Sequence, residues 1–283
     1  MIDRLFRPRD AVVVRLEGGL GNQMFQYAAG WAVAARLGCR LVLDTSGLHA
    51  KGLRTVRPFG LDSYCIEAEV DTLGRTALRA CTVVLQPAFT YAPGLLESVI
   101  VGSQLQGYWQ SERFFASHRP ALLQHFRLRQ QPDPAAQAVA RRIVAAPDAA
   151  SVHIRRSDYV NDPETARFHG SCSLDYYRDC LQALRSRHPG LQVFVFSDDP
   201  QWVRKHFPAH PSVEFVQPQM ASPAVDLWLM SLCRHHVLAN SSFSWWGAWL
   251  ATRPGHKLAP ARWFTDAAGL DDRDLVPAAW ERR

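Results

Sequence analysis

The sequence lacks an apolar run of about 18 residues, so we expect no segment that spans a bilayer. Its first ten residues also lack the apolar stretch of a signal peptide. The six cysteines include no CxxC pair and no other spacing typical of a metal centre. These absences together predict a cytoplasmic protein whose cysteines stay reduced.

No run reaches five like charges, although the net charge is +6. A diffuse basic surface suits an anionic small molecule or the acidic inner face of a membrane, and it does not require nucleic acid. We therefore predict no nucleic-acid partner and allow a peripheral membrane contact. The chain has 283 residues, of which 47% are hydrophobic, and this length suggests two domains.

The N-terminal part has the pattern of a strand, a helix and a second strand. Residues 11–16 are predicted to form a buried strand, a helix is predicted from Gln23 to Gly38, and residues 41–43 form a second strand that ends at Asp44. We therefore expect a Rossmann-like βαβ unit here.

A glycine turn separates this first strand from its helix. Gly18, Gly19 and Gly21 resemble a dinucleotide-binding fingerprint, but Met24 stands where its third glycine belongs. The alternative is a turn at which a sugar or phosphate approaches Gly19 and Gly21, with Asn22 and Gln23 as amide donors. A plain helix cap at Asn22 is also compatible with the pattern.

The second half alternates strands and helices more clearly, which predicts a parallel sheet. A break rich in Gln and Pro at 130–134 indicates a nearby domain boundary, and we assign residues 1–140 and 141–283 to two domains. The predicted strands are 151–154, 191–196, 213–216, 236–239 and 257–259, and the predicted helices are 174–187, 201–207, 225–234 and one from Ser244.

Three of these strands end in polar clusters, and parallel strands bring their ends to one edge of the sheet. In the first cluster, Arg155 is suited to bind a diphosphate, and the same argument applies less strongly to Arg156. In the second, Asp198 or Asp199 is suited to accept from a guanine base or to hold a ribose. No strand end offers a pair of His or Cys ligands, so we predict no bound metal.

The third cluster precedes a helix, whose first amides attract phosphate, and it comprises Asn240, Ser241, Ser242, Phe243 and Ser244. A simple explanation exists for each cluster alone. The first is also typical of a salt-bridged turn, and the other two are also typical of helix caps. The tryptophans Trp245, Trp246 and Trp249 are more typical of a core than of a base-stacking surface. The prediction of a nucleotide site rests on the conjunction of all three.

Several stretches resemble the α-1,2-fucosyltransferases. They lie in the same order as in that family and are residues 18–28 (GGLGNQMFQYA), 107–110 (GYWQ), 153–160 (HIRRSDYV), 226–230 (DLWLM) and 239–246 (ANSSFSWW). The resemblance implies an α/β glycosyltransferase of the GT-B type, with two Rossmann-like domains facing across a cleft. It implies an acceptor-binding N-terminal domain and a C-terminal domain that binds GDP-β-L-fucose without a metal.

The resemblance further implies transfer of fucose, with inversion, to the 2-hydroxyl of a galactose-terminated glycan, as in surface polysaccharide synthesis. We expect Arg155, Asp158 and Asn22 to be catalytic. We expect the sugar donor to be bound by Gly19, Gly21, His153, Arg156, Asp198, Asp199, Asn240, Ser241, Ser242 and Phe243.

The general base stays open at this stage. Asp158 is the nearest carboxylate to Arg155, yet it is equally suited to orient that arginine, and Glu164, His153 and His169 are other candidates. Rival functions also stay open: a nicotinamide-dependent oxidoreductase that uses the glycine turn and Asp44, a nucleic-acid-binding module, or a transferase for another nucleotide sugar.

Overall fold

A computed structural model describes residues 10–49, 57–76, 80, 82–87, 89–156, 166–168, 170–217 and 222–283. The chain divides into two compact units. Unit 1 comprises Met1–Arg129 and Arg273–Leu275, and unit 2 comprises Gln130–Asp272 and Val276–Arg283. The division therefore falls at Gln130, whereas the sequence suggested residue 140. The reason is that Ala140 and Ile143, on the helix Pro134–Ala145, pack in the core of unit 2 beside Phe194.

Within the described residues, unit 1 contains five strands and two α-helices. They are β1 (Ala11–Arg15), α1 (Leu20–Leu37), β2 (Arg40–Asp44), β3 (Glu69–Asp71), β4 (Thr82–Leu85), β5 (Ser103–Gln106) and α2 (Arg119–His125).

The described residues of unit 2 form six strands and five α-helices. They are α3 (Pro134–Ala145), β6 (Ala149–Ile154), α4 (Leu174–Arg187), β7 (Gln192–Ser197), α5 (Pro200–His206), β8 (Val213–Phe215), α6 (Pro223–Ser231), β9 (His235–Val237), α7 (Ser242–Trp249), β10 (Lys257–Ala259) and β11 (Glu281–Arg282).

The sheet of unit 1 has the order β3-β2-β1-β5-β4, with all neighbours parallel. Helix α1 lies close against β1, since a methyl group at Gly30 would come within 2.3 Å of Val14. The helix ends at Gly38, whose φ of 62° is the left-handed conformation that glycine adopts without strain. The βαβ pattern is confirmed, although α1 begins at Leu20 and not at Gln23.

The sheet of unit 2 has the order β11-β10-β9-β6-β7-β8 and is also parallel. Side chains alternate between its two faces. Val193 and Val195 of β7 pack with α4, whereas Phe194 and Phe196 pack with α3 and α6. Such a sheet with helices on both faces is a doubly wound α/β layer arrangement.

The parallel sheet found in each of the two units confirms the predicted α/β class with two Rossmann-like domains. Trp245, Trp246 and Trp249 are buried, so their interpretation as core residues is also confirmed. Within the described ranges, no helix combines the length and apolar character needed to cross a membrane.

Candidate active site

The three polar clusters of unit 2 meet at one edge of its sheet, as predicted. Strand β6 lies between β9 and β7. Ile154 pairs with Ser197 and Val152 pairs with Val237, so the residues that follow these three strands emerge side by side. In open α/β sheets this carboxyl edge is where ligands bind.

Asp198 holds the turn that carries the two arginines. Its Oδ2 lies 3.1 Å from Nη1 of Arg155, and its Oδ1 accepts a 2.9 Å hydrogen bond from the backbone N–H of Arg156. Arg155 and Asp198 are both mostly buried, with side chains 23% and 20% exposed. Because the ion pair is shielded from water, it orients the guanidinium more firmly than a surface pair does. Asp198 thus supports the arginine turn, and its contact with a sugar donor stays a prediction.

Arg156 is held on the other side of the turn. Its guanidinium carbon lies 3.6 Å from the ring centroid of Trp202, and its Nε is 3.6 Å from Oδ2 of Asp199. Asp199 also caps α5, because its Oδ1 accepts from the N–H of Trp202 at 3.1 Å. These contacts hold Arg156 in place, and the donor contact predicted for Arg156 stays a prediction. The donor contact predicted for Asp199 is not tested by these bonds.

His153 lies beneath the arginine turn and is almost fully buried. Burial lowers the pKa of its imidazole to about 4, so the ring is neutral near pH 7. Its ring centroid is 5.4 Å from that of Phe243, which joins the first cluster to the third. Within the described part of the chain its Nδ1 is buried and has no hydrogen-bond partner. Such an orphaned polar atom is suited to a ligand contact.

Asn240 connects the end of β9 to two neighbouring loops. Its Nδ2 donates to the carbonyl of Trp263 at 3.1 Å and to that of Gly170 at 3.3 Å. Its Oδ1 faces the Sγ of Cys172 at 3.6 Å. The side chain is buried, so it fixes two loops around the strand end. The contact with the sugar donor predicted for Asn240 stays a prediction.

The serines that follow begin α7. Ser241 is the N-cap residue, and its Oγ accepts from the N–H of Phe243 at 3.3 Å. Ser244 donates to the carbonyl of Ala239 at 2.9 Å. Ser242 and Phe243 are half-buried at the start of this helix, the end of a helix that favours a phosphate. The helix thus begins two residues before the predicted Ser244.

The glycine turn of unit 1 positions Asn22. Gly18 has φ of 77°, and a methyl group there would lie 2.5 Å from Nδ2 of Asn22. Gly19 is the N-cap of α1, and a methyl group on it would meet nothing within 4 Å. Gly19 therefore offers open space at the backbone, while Gly21 is buried inside the first helical turn.

Gln23 does not act as a donor to a ligand, contrary to the sequence-based expectation. Its Nε2 donates to the carbonyls of Gly18 and Pro58, at 3.0 and 2.9 Å, and its Oε1 accepts from the N–H of Gly60 at 3.0 Å. Both the Nε2 group and the Oε1 atom of Gln23 are thus occupied by hydrogen bonds to backbone groups of the protein. Gln23 fixes the turn, and Asn22 is the amide at its surface.

Gln110 is a neighbour of Asn22 to which the sequence analysis assigned no role. Nε2 of Gln110 donates to Oδ1 of Asn22 at 2.9 Å. The preceding Trp109 has φ of 56°, a costly conformation for a residue with a side chain. Its N–H donates to Oε1 of Gln86 at 2.6 Å, which holds the strained turn. The positive φ is invisible in sequence, although Gln110 lies in the GYWQ stretch that resembles the fucosyltransferases.

Several predicted residues lie outside the described part of the chain. They are the candidate bases Asp158, Glu164 and His169. Their roles stay predictions.

Asp44 does not have the exposure that a nicotinamide cofactor requires. It is buried, and its Oδ1 accepts from the N–H of Ser46 at 2.9 Å. In a dinucleotide site the corresponding carboxylate hydrogen-bonds a ribose. The oxidoreductase alternative therefore lacks both of its supporting features, since the third glycine is missing and Asp44 is buried.

The turn after β6 places Arg155 and Arg156 at the carboxyl edge of a parallel sheet, where ligands bind in open α/β folds. Comparison with known proteins makes the class specific: residues 101–280 match the model of the family described as glycosyl transferase family 11. The chain belongs to this family, and it is a glycosyltransferase.

Relatives that cover nearly the whole chain agree with this. An Escherichia coli alpha-1,2-colitosyltransferase is 34% identical, over 96% of this chain and 98% of its own length. The E. coli O-antigen biosynthesis glycosyltransferase WbnK is 30% identical, over 94% of this chain and 98% of its own. The mouse galactoside 2-alpha-L-fucosyltransferase Sec1 is 29% identical, over 86% of this chain and 65% of its own.

Solved structures resemble the fold. NodZ alpha-1,6-fucosyltransferase soaked with GDP-fucose superposes with a TM-score of 0.53 at 16% identity, over 88% of this chain and 97% of its own. A variant of Arabidopsis thaliana FUT1 in complex with GDP superposes with a TM-score of 0.51 at 12% identity, over 88% and 70%. At these identities the likeness supports the fold alone.

Proposed function

We propose that this chain transfers L-fucose from GDP-β-L-fucose to the 2-hydroxyl of a galactose in a glycan, with inversion. The single observation that carries the proposal is the cationic turn at the edge of unit 2, where Asp198 orients Arg155 beside the amides that begin α7. A guanidinium and a helix start together suit a diphosphate. Relatives named as 2-alpha-L-fucosyltransferases supply the sugar and the linkage.

In this mechanism Arg155 acts on the leaving group. The bond between fucose C1 and the β-phosphate oxygen breaks, and negative charge grows on the departing GDP. The guanidinium stabilises that charge more in the transition state than in the ground state, which is the condition for catalysis. The acceptor 2-hydroxyl oxygen forms the new bond to C1 from the opposite face, which inverts the anomeric centre.

The proton of the acceptor hydroxyl passes to a base or to water as that bond forms. Asp158 is our candidate for the base. Neutral His153 is a second candidate, because its low pKa leaves a lone pair available near pH 7. We assign the acceptor to unit 1, where the Gly19 backbone is open and Asn22 presents an amide.

The arginines replace a metal ion in this proposal. Guanidinium and amide hydrogens neutralise the diphosphate, so transfer continues after chelation. Calorimetry on chelator-treated protein tests this directly, with GDP binding as the expected result. Binding that disappears and returns with Mn²⁺ would overturn it. A cytoplasmic location, with peripheral contact at the inner membrane face, stays a prediction.

A second sugar donor is favoured by one observation, the 34% identity to an alpha-1,2-colitosyltransferase. Colitose is L-fucose without its 3-hydroxyl, so the two donors share the diphosphate and differ at one ring position. A site that hydrogen-bonds the 3-hydroxyl discriminates strongly between two such donors, whereas an apolar pocket discriminates between them weakly.

The deciding experiment compares GDP-fucose, GDP-colitose and GDP-mannose against a panel of β-galactosides, with product linkage read by NMR. We expect an α-1,2-linked fucoside, and GDP-fucose to exceed the other donors in kcat/KM. The variant Arg155→Ala is the matched control for background hydrolysis. Transfer from GDP-colitose alone would replace the donor, and product at another hydroxyl would replace the linkage.

A further inference from the structure

Three histidines gather at the edge of unit 2 opposite the candidate active site. His188 follows α4, His235 begins β9 and His256 directly precedes β10. Since the strands are parallel, the residues before them lie at the amino edge of the sheet, away from Arg155. The proposed transfer uses none of these histidines.

The imidazoles are close enough to share one ion. One nitrogen of each ring lies within 4.8 Å of one nitrogen of each other ring. The ring centroids of His188 and His235 are 4.2 Å apart, and His256 is 5.4 Å from each. In a tetrahedral zinc site with Zn–N of about 2.0–2.1 Å the ligand atoms are about 3.3 Å apart. Small side-chain rotations therefore bring these three rings into coordinating positions.

Asp148 sets which nitrogens are available. Its Oδ1 lies 3.1 Å from Nδ1 of His188 and 3.4 Å from Nε2 of His235. An N–H that donates to this carboxylate leaves the other nitrogen of each ring with its lone pair. A histidine held by a carboxylate in this way is the usual outer-shell arrangement of a metal ligand.

The two lone pairs left over differ in their surroundings. Within the described ranges, Nε2 of His188 is buried without a hydrogen-bond partner, which is costly. Nδ1 of His235 accepts from the N–H of His256 at 3.1 Å, and metal binding would exchange this bond for coordination.

We propose that His188, His235 and His256 form a binding site for one Zn²⁺ ion, with Asp148 as the outer carboxylate. Imidazole nitrogen is a preferred zinc ligand. The ion would tie together the turns before β7, β9 and β10. Its role is structural, since a ligand that binds only the folded state stabilises it. Arg234 lies 2.9 Å from Oδ1 of Asp148 and competes with the histidines for this carboxylate. Zinc binding is therefore weaker than at a site whose carboxylate has no cationic neighbour.

The test uses the full-length chain without a polyhistidine tag, stripped with a chelator and then dialysed against ZnCl₂. We expect one zinc per chain by elemental analysis and a higher melting temperature. The variants His188→Gln and His256→Gln each remove one ligand and should weaken zinc binding at least about 100-fold, beyond the roughly 10–100-fold cost of losing an outer partner. Exposed His210 lies outside the cluster, so His210→Gln should bind zinc unchanged.

A second measurement does not depend on any variant. Co²⁺ in place of Zn²⁺ should give the visible absorption of a tetrahedral nitrogen site in the wild-type protein. The half-buried His188 and His256 are chosen for substitution because fully buried His235 is the ligand most needed for folding. Zinc bound equally by wild type and both variants, or no stoichiometric zinc and no cobalt band, would overturn the proposal.

Discussion

Arg155 and Asp198 form an ion pair, 3.1 Å long, between the carboxyl ends of two neighbouring strands. Asp198 also binds the backbone N–H of Arg156, so one carboxylate fixes both the side chain and the backbone of the cationic turn. The guanidinium is therefore oriented before any ligand arrives. Such preorganisation is the condition under which a charged group contributes most to a transition state.

Substitution of Arg155 should remove turnover and keep the fold. We expect Arg155→Ala to lower kcat by about 10²–10³-fold, the usual cost of losing one well-placed donor to a developing charge. Arg155→Lys should recover part of the loss, because it keeps the charge without the fork. Product formation and a urea titration measure the two properties separately. A wild-type kcat in Arg155→Ala would remove the arginine from the mechanism.

The partner Asp198 should matter through Arg155. Asp198→Asn keeps an oxygen for the Arg156 amide but loses the charge that pairs with Arg155. Hydrogen bonds to charged groups contribute about 1.5–3 kcal/mol, so we expect kcat to fall by roughly 10–100-fold. In the Arg155→Ala background the same change should add little, because contacting residues are not additive. Full additivity in this double-mutant cycle would contradict the positioning role.

Much of unit 2 was predictable because its strands are continuous apolar runs separated by helical patterns. The predicted helix 174–187 coincides with α4, and the strand at 257–259 coincides with β10. The meeting of three strand ends followed from parallel topology alone. Which bonds those residues make did not follow, because Asp198 and Asp199 look alike in sequence and differ in the structure.

Unit 1 was harder for a physical reason. Strand β5 has the sequence SQLQ, and three of its four residues are buried although two of those are polar. Gln104 on this strand faces Asp44 across 3.5 Å. Strand β4 is at the sheet edge and leaves Val83 and Leu85 exposed. Neither strand shows the hydrophobic pattern on which the prediction of a strand from sequence depends.

Gln110 should act by orienting Asn22. Its 2.9 Å hydrogen bond to Oδ1 turns the NH₂ group of Asn22 away from itself. We expect Gln110→Leu to lower kcat/KM in the wild-type background and to add nothing to Asn22→Ala, with a coupling of about 0.5–3 kcal/mol. Kinetics of the two single variants and the double variant measure this coupling.

The companion change Asn22→Asp keeps the bond from Gln110 and replaces the remaining NH₂ with an oxygen. If that NH₂ donates to the substrate, Asn22→Asp should be as impaired as Asn22→Ala while its unfolding midpoint stays near wild type. Unchanged kcat/KM in Asn22→Asp would exclude the NH₂ group of Asn22 from contact with the substrate.

Acid should destabilise the protein through buried histidines. Burial lowers the pKa of His236 to about 3 and that of His153 to about 4, against about 6.5 in the unfolded chain. Between these values the unfolded state binds more protons, so the free energy of unfolding falls as pH falls from about 6.5 to 4. Each such histidine contributes at most about 1.4 kcal/mol per pH unit.

Urea titrations across this window measure the slope. His236→Asn keeps a polar partner for Ser151, which contacts Nδ1 of His236 at 2.8 Å, and should make the slope shallower. The exposed His210 provides the control, and His210→Asn should leave the slope unchanged. An unaltered slope in His236→Asn would mean that this histidine is protonated in the folded state.

Gly18 and Gly19 should respond oppositely to an added side chain. Gly18 has φ of 77° and no room beside Asn22, so Gly18→Ala should lower the unfolding free energy by more than about 1 kcal/mol.

Gly19 has φ of −75° as the N-cap of α1, where serine is preferred. Gly19→Ser should therefore keep or raise stability while it fills the open space at the backbone. If substrate approaches Gly19, this stable variant should show a raised KM for either the acceptor or the sugar donor. Steady-state kinetics with each substrate varied in turn distinguish the two, and unchanged KM values for both would exclude Gly19 from the substrate site.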